Sequence, residues 1–130
     1  MTTFDLPPIV RGYLVCALWA STDDSNEPLD DTFGIDDFAP EAIAEAIRHC
    51  EEFEKFNAAD CDAYREQRTY DGAQGTVDDY LGHDLWLTRN RHGAGFWDRG
   101  LGALGERLTA AAHDMGEAAV FVDDGRIYFA

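Results

Sequence analysis

The sequence predicts an α+β fold in which N-terminal helices pack with a C-terminal β-β-α-β-β unit built on a four-stranded antiparallel sheet. Three observations carry that expectation. Apolar residues recur at helical spacing through the first half of the chain, the later stretches HDLWLT and AAVFV read as strands, and each is followed by turn residues and a returning segment. With 130 residues, 45% of them hydrophobic and 12% aromatic, the chain is expected to form one domain spanning 1–130.

Pro7 and Pro8 suit a helix start, and Ile9, Tyr13, Ala17 and Ala20 recur at helical spacing, which predicts a helix over 8–21 with a buried strand over 12–20 as the competitor. Residues 21–38 hold Pro, Gly, Asn, Ser and seven acids without a base, so an exposed loop is expected. From Pro40 to Asn57 the pattern is amphipathic: Ile43, Ala46, Ile47, Cys50 and Phe53 share a stripe opposite Glu41, Glu45, Arg48, Glu52 and Lys55. Asp60 is read as the cap of a further helix reaching Arg68. Thr69 to Gly82 carries two turns and room for one helical turn at 76–81.

His83 to Thr88 then alternates, and Ala94 to Trp97 returns after the stretch Arg89–His92, which predicts a β-hairpin. Leu101, Leu104, Leu108, Ala111 and Met115 mark a helix ended by Gly116. Ala118–Val122, the turn Asp123-Asp124-Gly125 and Arg126–Ala130 predict a second hairpin. The helix between the hairpins is expected to lie on the four-stranded sheet.

The N-terminus lacks a basic start, and the apolar run from Ile9 to Ala20 is interrupted by Arg11 and too short to span a bilayer, so a cytoplasmic protein is expected. Cys16, Cys50 and Cys61 form no C-x-x-C pair and are expected as buried thiols in a reducing compartment. A net charge of −16 disfavours free nucleic acid and anionic membranes as partners.

Gly100-Leu101-Gly102-Ala103-Leu104-Gly105 matches the dinucleotide fingerprint G-x-G-x-x-G, and Asp123 follows near the place of its ribose-binding acid. The context argues against a cofactor. Only seven residues follow Asp123, Asp98-Arg99 separates the preceding strand from the first glycine, and a −16 body repels a pyrophosphate. The glycines are read as close-packing positions, and no cofactor is expected. A calcium loop from Asp30 through Thr32, Gly34, Asp36 and Glu41 lacks its required glycine, which is Ile35 here. The four histidines show no ligand spacing, so no metal is expected. No G-x-S-x-G or H-E-x-x-H occurs, and His49-Cys50 lie adjacent on a helix where neighbours diverge; the chain is expected not to be an enzyme.

The acids are segregated. Between Thr22 and Tyr80 stand 18 Asp and Glu against four bases, a net of −14, while the other 71 residues carry −2. Several come as doublets, and Glu41 and Glu45 face each other with like charge one helical turn apart. Carboxylates at that spacing approximate the phosphate row of a nucleic acid. This assigns partner binding to Asp23, Asp24, Glu27, Asp30, Asp31, Asp36, Asp37, Glu41, Glu45, Glu52, Asp78 and Asp79, against the basic nucleic-acid channel of a protein partner.

Residues 82–100, GHDLWLTRNRHGAGFWDRG, resemble a family of small acidic proteins encoded by phages and plasmids whose hallmark runs GHDFWLTRNGHGAGFWDRG, and YLVCALWASTDD (13–24) is similar to that family's other recurring stretch. Leu85 stands where the hallmark has Phe, and Arg91 where it has Gly, which replaces a tight Asn-Gly turn by an expected wider loop from Asn90 to Gly93. The resemblance carries over no catalytic residue. It implies a mobile-element setting, in which small acidic proteins inhibit host CRISPR or restriction complexes by imitating DNA. Two other readings stand beside it: a small enzyme or ligand-binding protein using His83, Arg89, His92 and Asp98 of the hairpin, and an acidic protein adapted to salt without mimicry.

Overall fold

A computed structural model describes residues 6–130 as a helical fold with a small C-terminal hairpin. Five helices run α1 (Pro8–Ala20), α2 (Pro40–Phe56), α3 (Ala58–Gln67), α4 (Val77–Arg89) and α5 (Ala103–Asp114). They are followed by β1 (Val120–Asp123) and β2 (Arg126–Phe129), which form a two-stranded antiparallel sheet. The expected four-stranded sheet is therefore corrected: the second hairpin exists, the first does not.

The residues assigned to the first hairpin lie in α4 and in a short 3₁₀ turn, Phe96–Asp98. The alternation in HDLWLT misleads because α4 is central: Asp79–Arg89 are all buried except half-buried Gly-flanked His83. Buried polar residues, each with an internal partner, interrupt the apolar pattern that would have marked a helix. Thr76 starts α4 with a capping box, its hydroxyl accepting from the Asp79 amide while the Asp79 carboxylate takes the Thr76 amide at 2.8 Å. Its end is a Schellman motif, with the Arg91 amide donating to Thr88 O at 3.1 Å and the His92 amide to Leu87 O at 3.0 Å. Arg91, at φ +56°, thus occupies the left-handed position after a helix, and the expected wide hairpin loop is a helix stop.

α1 and α4 cross at backbone contact. A Cβ on Gly12 would lie 1.9 Å from Asp79 O, and one on Gly82 would lie 1.9 Å from Ile9 O. Around this crossing the core gathers Tyr13 and Leu14 of α1, Leu81, Leu85 and Trp86 of α4, Phe53 of α2, Tyr64 of α3, Leu108 of α5 and Ile127 of β2. Tyr13 meets Trp86 edge-on at 5.1 Å, and Phe96 stacks on Phe53 at 5.9 Å. The three cysteines are free and buried. Burial pushes the Cys61 thiol up to about 12, and those of Cys16 and Cys50 higher still.

The remaining elements follow local rules. Pro40 opens α2 at a position that needs no amide donor. α3 begins at Ala58 after Asn57, so Asp60 lies in its first turn rather than at its cap, where it still suits the helix dipole. In the G-x-G-x-x-G match, Gly100 and Gly102 hold φ of +72° and +60°, and a Cβ on Gly105 would sit 2.7 Å from Phe96 O. The motif is a turn followed by a close helix approach. Asp124 and Gly125, at φ +50° and +75°, form the two-residue loop of the hairpin.

Two stability outcomes follow. Gly82→Ala is expected to lose about 2–3 kcal/mol in denaturant unfolding through overpacking, although glycine to alanine inside an unconstrained helix gains about 1 kcal/mol. Arg91→Gly is expected to gain about 0.5–1 kcal/mol, because the exposed arginine holds a left-handed conformation that glycine adopts freely; an unchanged midpoint would show that the strain is absent.

Candidate functional site

The acidic segment 21–38 is held in place by its own side chains and by buried anchors. The Asp23 carboxylate accepts from the Ser25 and Glu27 amides at 2.8 and 3.0 Å, turning the chain so that Thr22 bridges Pro28. Leu29 is buried and starts a 3₁₀ turn, Leu29–Asp31. A second, Ile35–Asp37, is closed by the Gly34 amide donating to Asp37 at 2.8 Å. Buried Phe38 then bridges Ile127 of β2, and the Ala39 amide donates to Ile127 O at 2.9 Å. The outcome is an ordered loop, fastened at both ends, with Asp24, Glu27, Asp30, Asp31 and Asp36 exposed along it and Glu41 exposed on the first turn of α2. The Asp23 and Asp37 carboxylates bond the loop's own backbone.

On α2, Glu45 and Glu52 share Arg48, Glu52 at 3.4 Å. Glu45 also begins a chain of hydrogen bonds into the core: His49 Nε2 lies 3.1 Å from Glu45, His49 Nδ1 lies 2.9 Å from the Tyr13 hydroxyl, and Arg89 donates to that hydroxyl at 2.9 Å. Because Tyr13 accepts from Arg89, its own proton is directed to His49 Nδ1, and neutral His49 then donates from Nε2 to Glu45. Burial, followed by the Arg89 charge, holds the His49 imidazole below its ordinary range, which agrees with the neutral tautomer.

Asp79 is buried and Asp78 half-buried, and each is engaged by an arginine. The Arg11 guanidinium grips Asp79 through Nε and Nη2 at 2.7 and 2.8 Å, with Asp79 buried; burial opposes its ionisation, and the bonds from Arg11 and Thr76 overcome that and hold the carboxyl below the usual range. Asp78 pairs with Arg65 at 2.6 Å, which also holds Glu54 and Asp62. The expected partner-binding set therefore divides into the acids around the loop and α2, Asp23 and Asp37, whose carboxylates brace the loop, and Asp78 and Asp79, which pair with Arg65 and Arg11.

The alternative site of His83, Arg89, His92 and Asp98 is dispersed. His83 lies against Trp19 at 5.8 Å. Arg89 is buried and donates to Gly116 O at 2.8 Å and Met115 O at 3.0 Å, closing the end of α5. Asp98 closes its own 3₁₀ turn by accepting from the Gly95 amide at 3.1 Å, and His92 follows the α4 stop.

The residue that organises this region is Asp84, which the sequence offers only as one of the polar residues of the expected hairpin, in a surface pair with Arg89. It is buried, accepts from the Tyr64 hydroxyl at 2.6 Å and pairs with Arg68 at 3.2 Å and Arg99 at 2.9 Å. Its signal is its place on the inner stripe of α4, which strand periodicity hides. Removing one member of such a buried set typically costs about 3–5 kcal/mol.

Arg11, Arg48, Arg65, Arg68, Arg99 and Arg107 all pair with carboxylates of the chain, and Arg89 with carbonyls. Among the described residues no group of three or more His, Cys, Asp or Glu is placed to hold a metal, and no helix is long and apolar enough to cross a membrane. No family model, curated protein or solved structure matches the chain.

The histidines set a pH dependence. Burial lowers both His49 and His83 from their ordinary range, so as pH falls through about 6.5 the unfolded chain takes up protons that the folded chain refuses. Stability is therefore expected to fall on acidification from neutral pH until the folded imidazoles titrate. In urea unfolding across that window, His49→Gln should flatten the dependence by the proton His49 contributes; an unaltered slope contradicts the assignment.

Proposed function

We propose that this protein is a non-enzymatic inhibitor from a mobile element that presents its ordered acidic loop to the basic nucleic-acid channel of a host CRISPR or restriction complex in the cytoplasm. The observation that supports this reading most is the combination of charge and order in segment 21–38: seven acids and no base, on a loop fixed by two 3₁₀ turns and fastened to β2. A solvated spacer needs no such anchoring, whereas a surface that competes with phosphates gains affinity from carboxylates held before binding. Most arginines are paired inside the molecule, which leaves the outward field to the acids and speeds encounter with a basic partner.

Compared with the expectation from sequence, the interacting group narrows to Asp24, Glu27, Asp30, Asp31, Asp36, Glu41 and the outer acids of α2, Glu45 and Glu52. Asp78 and Asp79 have structural work instead. The resemblance of residues 82–100 to phage and plasmid proteins supplies the setting, while those residues themselves build the fold that carries the loop.

Neutralising Asp24, Asp30, Asp31 and Glu41 together, as Asn or Gln, leaves Asp23 and Asp37 to hold the loop. Capture from bacterial lysate is expected to retain nucleic-acid-binding proteins on the native chain at low salt, to release them with duplex DNA, and to lose them with the neutralised variant. Retention of the same proteins by the variant, or indifference to DNA, would sink the reading.

A further inference from the structure

We propose that the open edge of β1 takes up an extended, basic segment of a partner protein by strand addition. This rests on the reading of the protein as a binder of basic partners and adds the backbone by which a partner is held. The register Val120↔Phe129, Phe121↔Tyr128, Val122↔Ile127 and Asp123↔Arg126 surrounds a two-residue loop. The residues flanking such a loop exchange hydrogen bonds, so Asp123 and Phe121 face β2, and the bond from the Ala130 amide to Ala119 O at 2.9 Å continues the alternation. The backbone groups of Val120 and Val122 therefore point away from β2.

The two edges of the hairpin differ. The outer edge of β2 is occupied, because Ile127 O receives the Ala39 amide at 2.9 Å. On β1 no backbone hydrogen bond reaches the outward groups of Val120 or Val122 among the described residues. A bare strand edge is a template for another strand, and this one has none of the lysine, proline or bulge that commonly blocks it. It runs along a groove of about 330 Å³ whose far wall is the acidic loop, with Asp23 and Asp24 on the rim and Leu29 and Phe33 among its lining. Phe121, 47% exposed, stacks on Tyr128 at 5.6 Å and offers an apolar platform on the outer face.

Charge selects the occupant. Asp23, Asp24, Asp123 and Asp124 surround the edge, and Arg126, the one base of the hairpin, stands on β2. A second copy would bring another −16 body and the same acids to this edge. A strand alternating apolar residues with lysine or arginine places its apolar side chains beside Val120 and Val122 and its cations toward the aspartates.

The test is calorimetric titration of the full chain with a synthetic peptide alternating lysine and valine, alongside the same peptide N-methylated at alternate residues. Val122→Pro removes the outward donor while sparing the bonds to β2, and its melting curve reports whether the fold survives. The unmodified peptide is expected to bind and to slow exchange of the Val120 and Val122 amides, while N-methylation and Val122→Pro each weaken binding by about tenfold or more. Equal binding of both peptides overturns strand addition and leaves the acidic-surface reading standing, since charge is unchanged. No binding of the peptide overturns it too. Sedimentation showing a dimer that Val122→Pro dissolves would replace it with self-pairing.

Discussion

Everything in this fold hangs on α1 and α4 meeting at backbone distance. Gly12 and Gly82 each lie where a Cβ would enter the other helix's main chain. That approach brings Arg11 within reach of Asp79 and seats Tyr13 against Trp86 and Arg89. Widening the crossing by one methyl group on either side would loosen ion pair, ring contact and hydrogen bond together, because all three sit on the same two helices. α2, α3 and α5 then pack around a central pair whose spacing is already set.

Charge is handled in two ways by one small chain. Inside, buried carboxylates are matched with guanidinium groups: Asp84 with Arg68 and Arg99, and Asp79 with Arg11. Buried ions are costly alone, so each pair specifies which elements meet and in what register. Outside, the loop carries seven acids and no base of its own, and α2 adds Glu41, Glu45 and Glu52, the last two sharing Arg48. Residues 82–100 supply the inner kind through Asp84 and Arg99, and the loop supplies the outer kind. Scaffold and surface thus occupy different stretches of sequence.

Elements whose periodicity is uninterrupted are legible from sequence: α1, α2, α5 and the C-terminal hairpin lie close to where spacing and turn residues place them. α4 is not, and for a physical reason. A helix buried on nearly all sides loses the polar face that reveals its period, and Asp84, Thr88 and Arg89 place polar letters on its inner stripe. The left-handed Arg91 conceals its end, since glycine is the usual sign there. On the acidic surface, composition locates the exposed loop but cannot separate Asp78 and Asp79 from it. Their doublet looks like the others, and only a partner 68 residues away, Arg11, makes Asp79 internal.

That separation bears on how the chain reaches its native state. Helical bundles ordinarily fold fast because neighbours in sequence are neighbours in space, yet here the pairing at the centre joins the two ends of a long intervening segment. α2, α3 and the acidic loop must be accommodated while that loop is closed, and the entropy of closure is met before the core rewards it. The carboxylates crowded into the same segment repel one another until the arginines are in place. Refolding should consequently run at the pace of mixed α/β domains and quicken as salt screens the intervening acids, a kinetic signature of long-range assembly in a protein made mostly of helices.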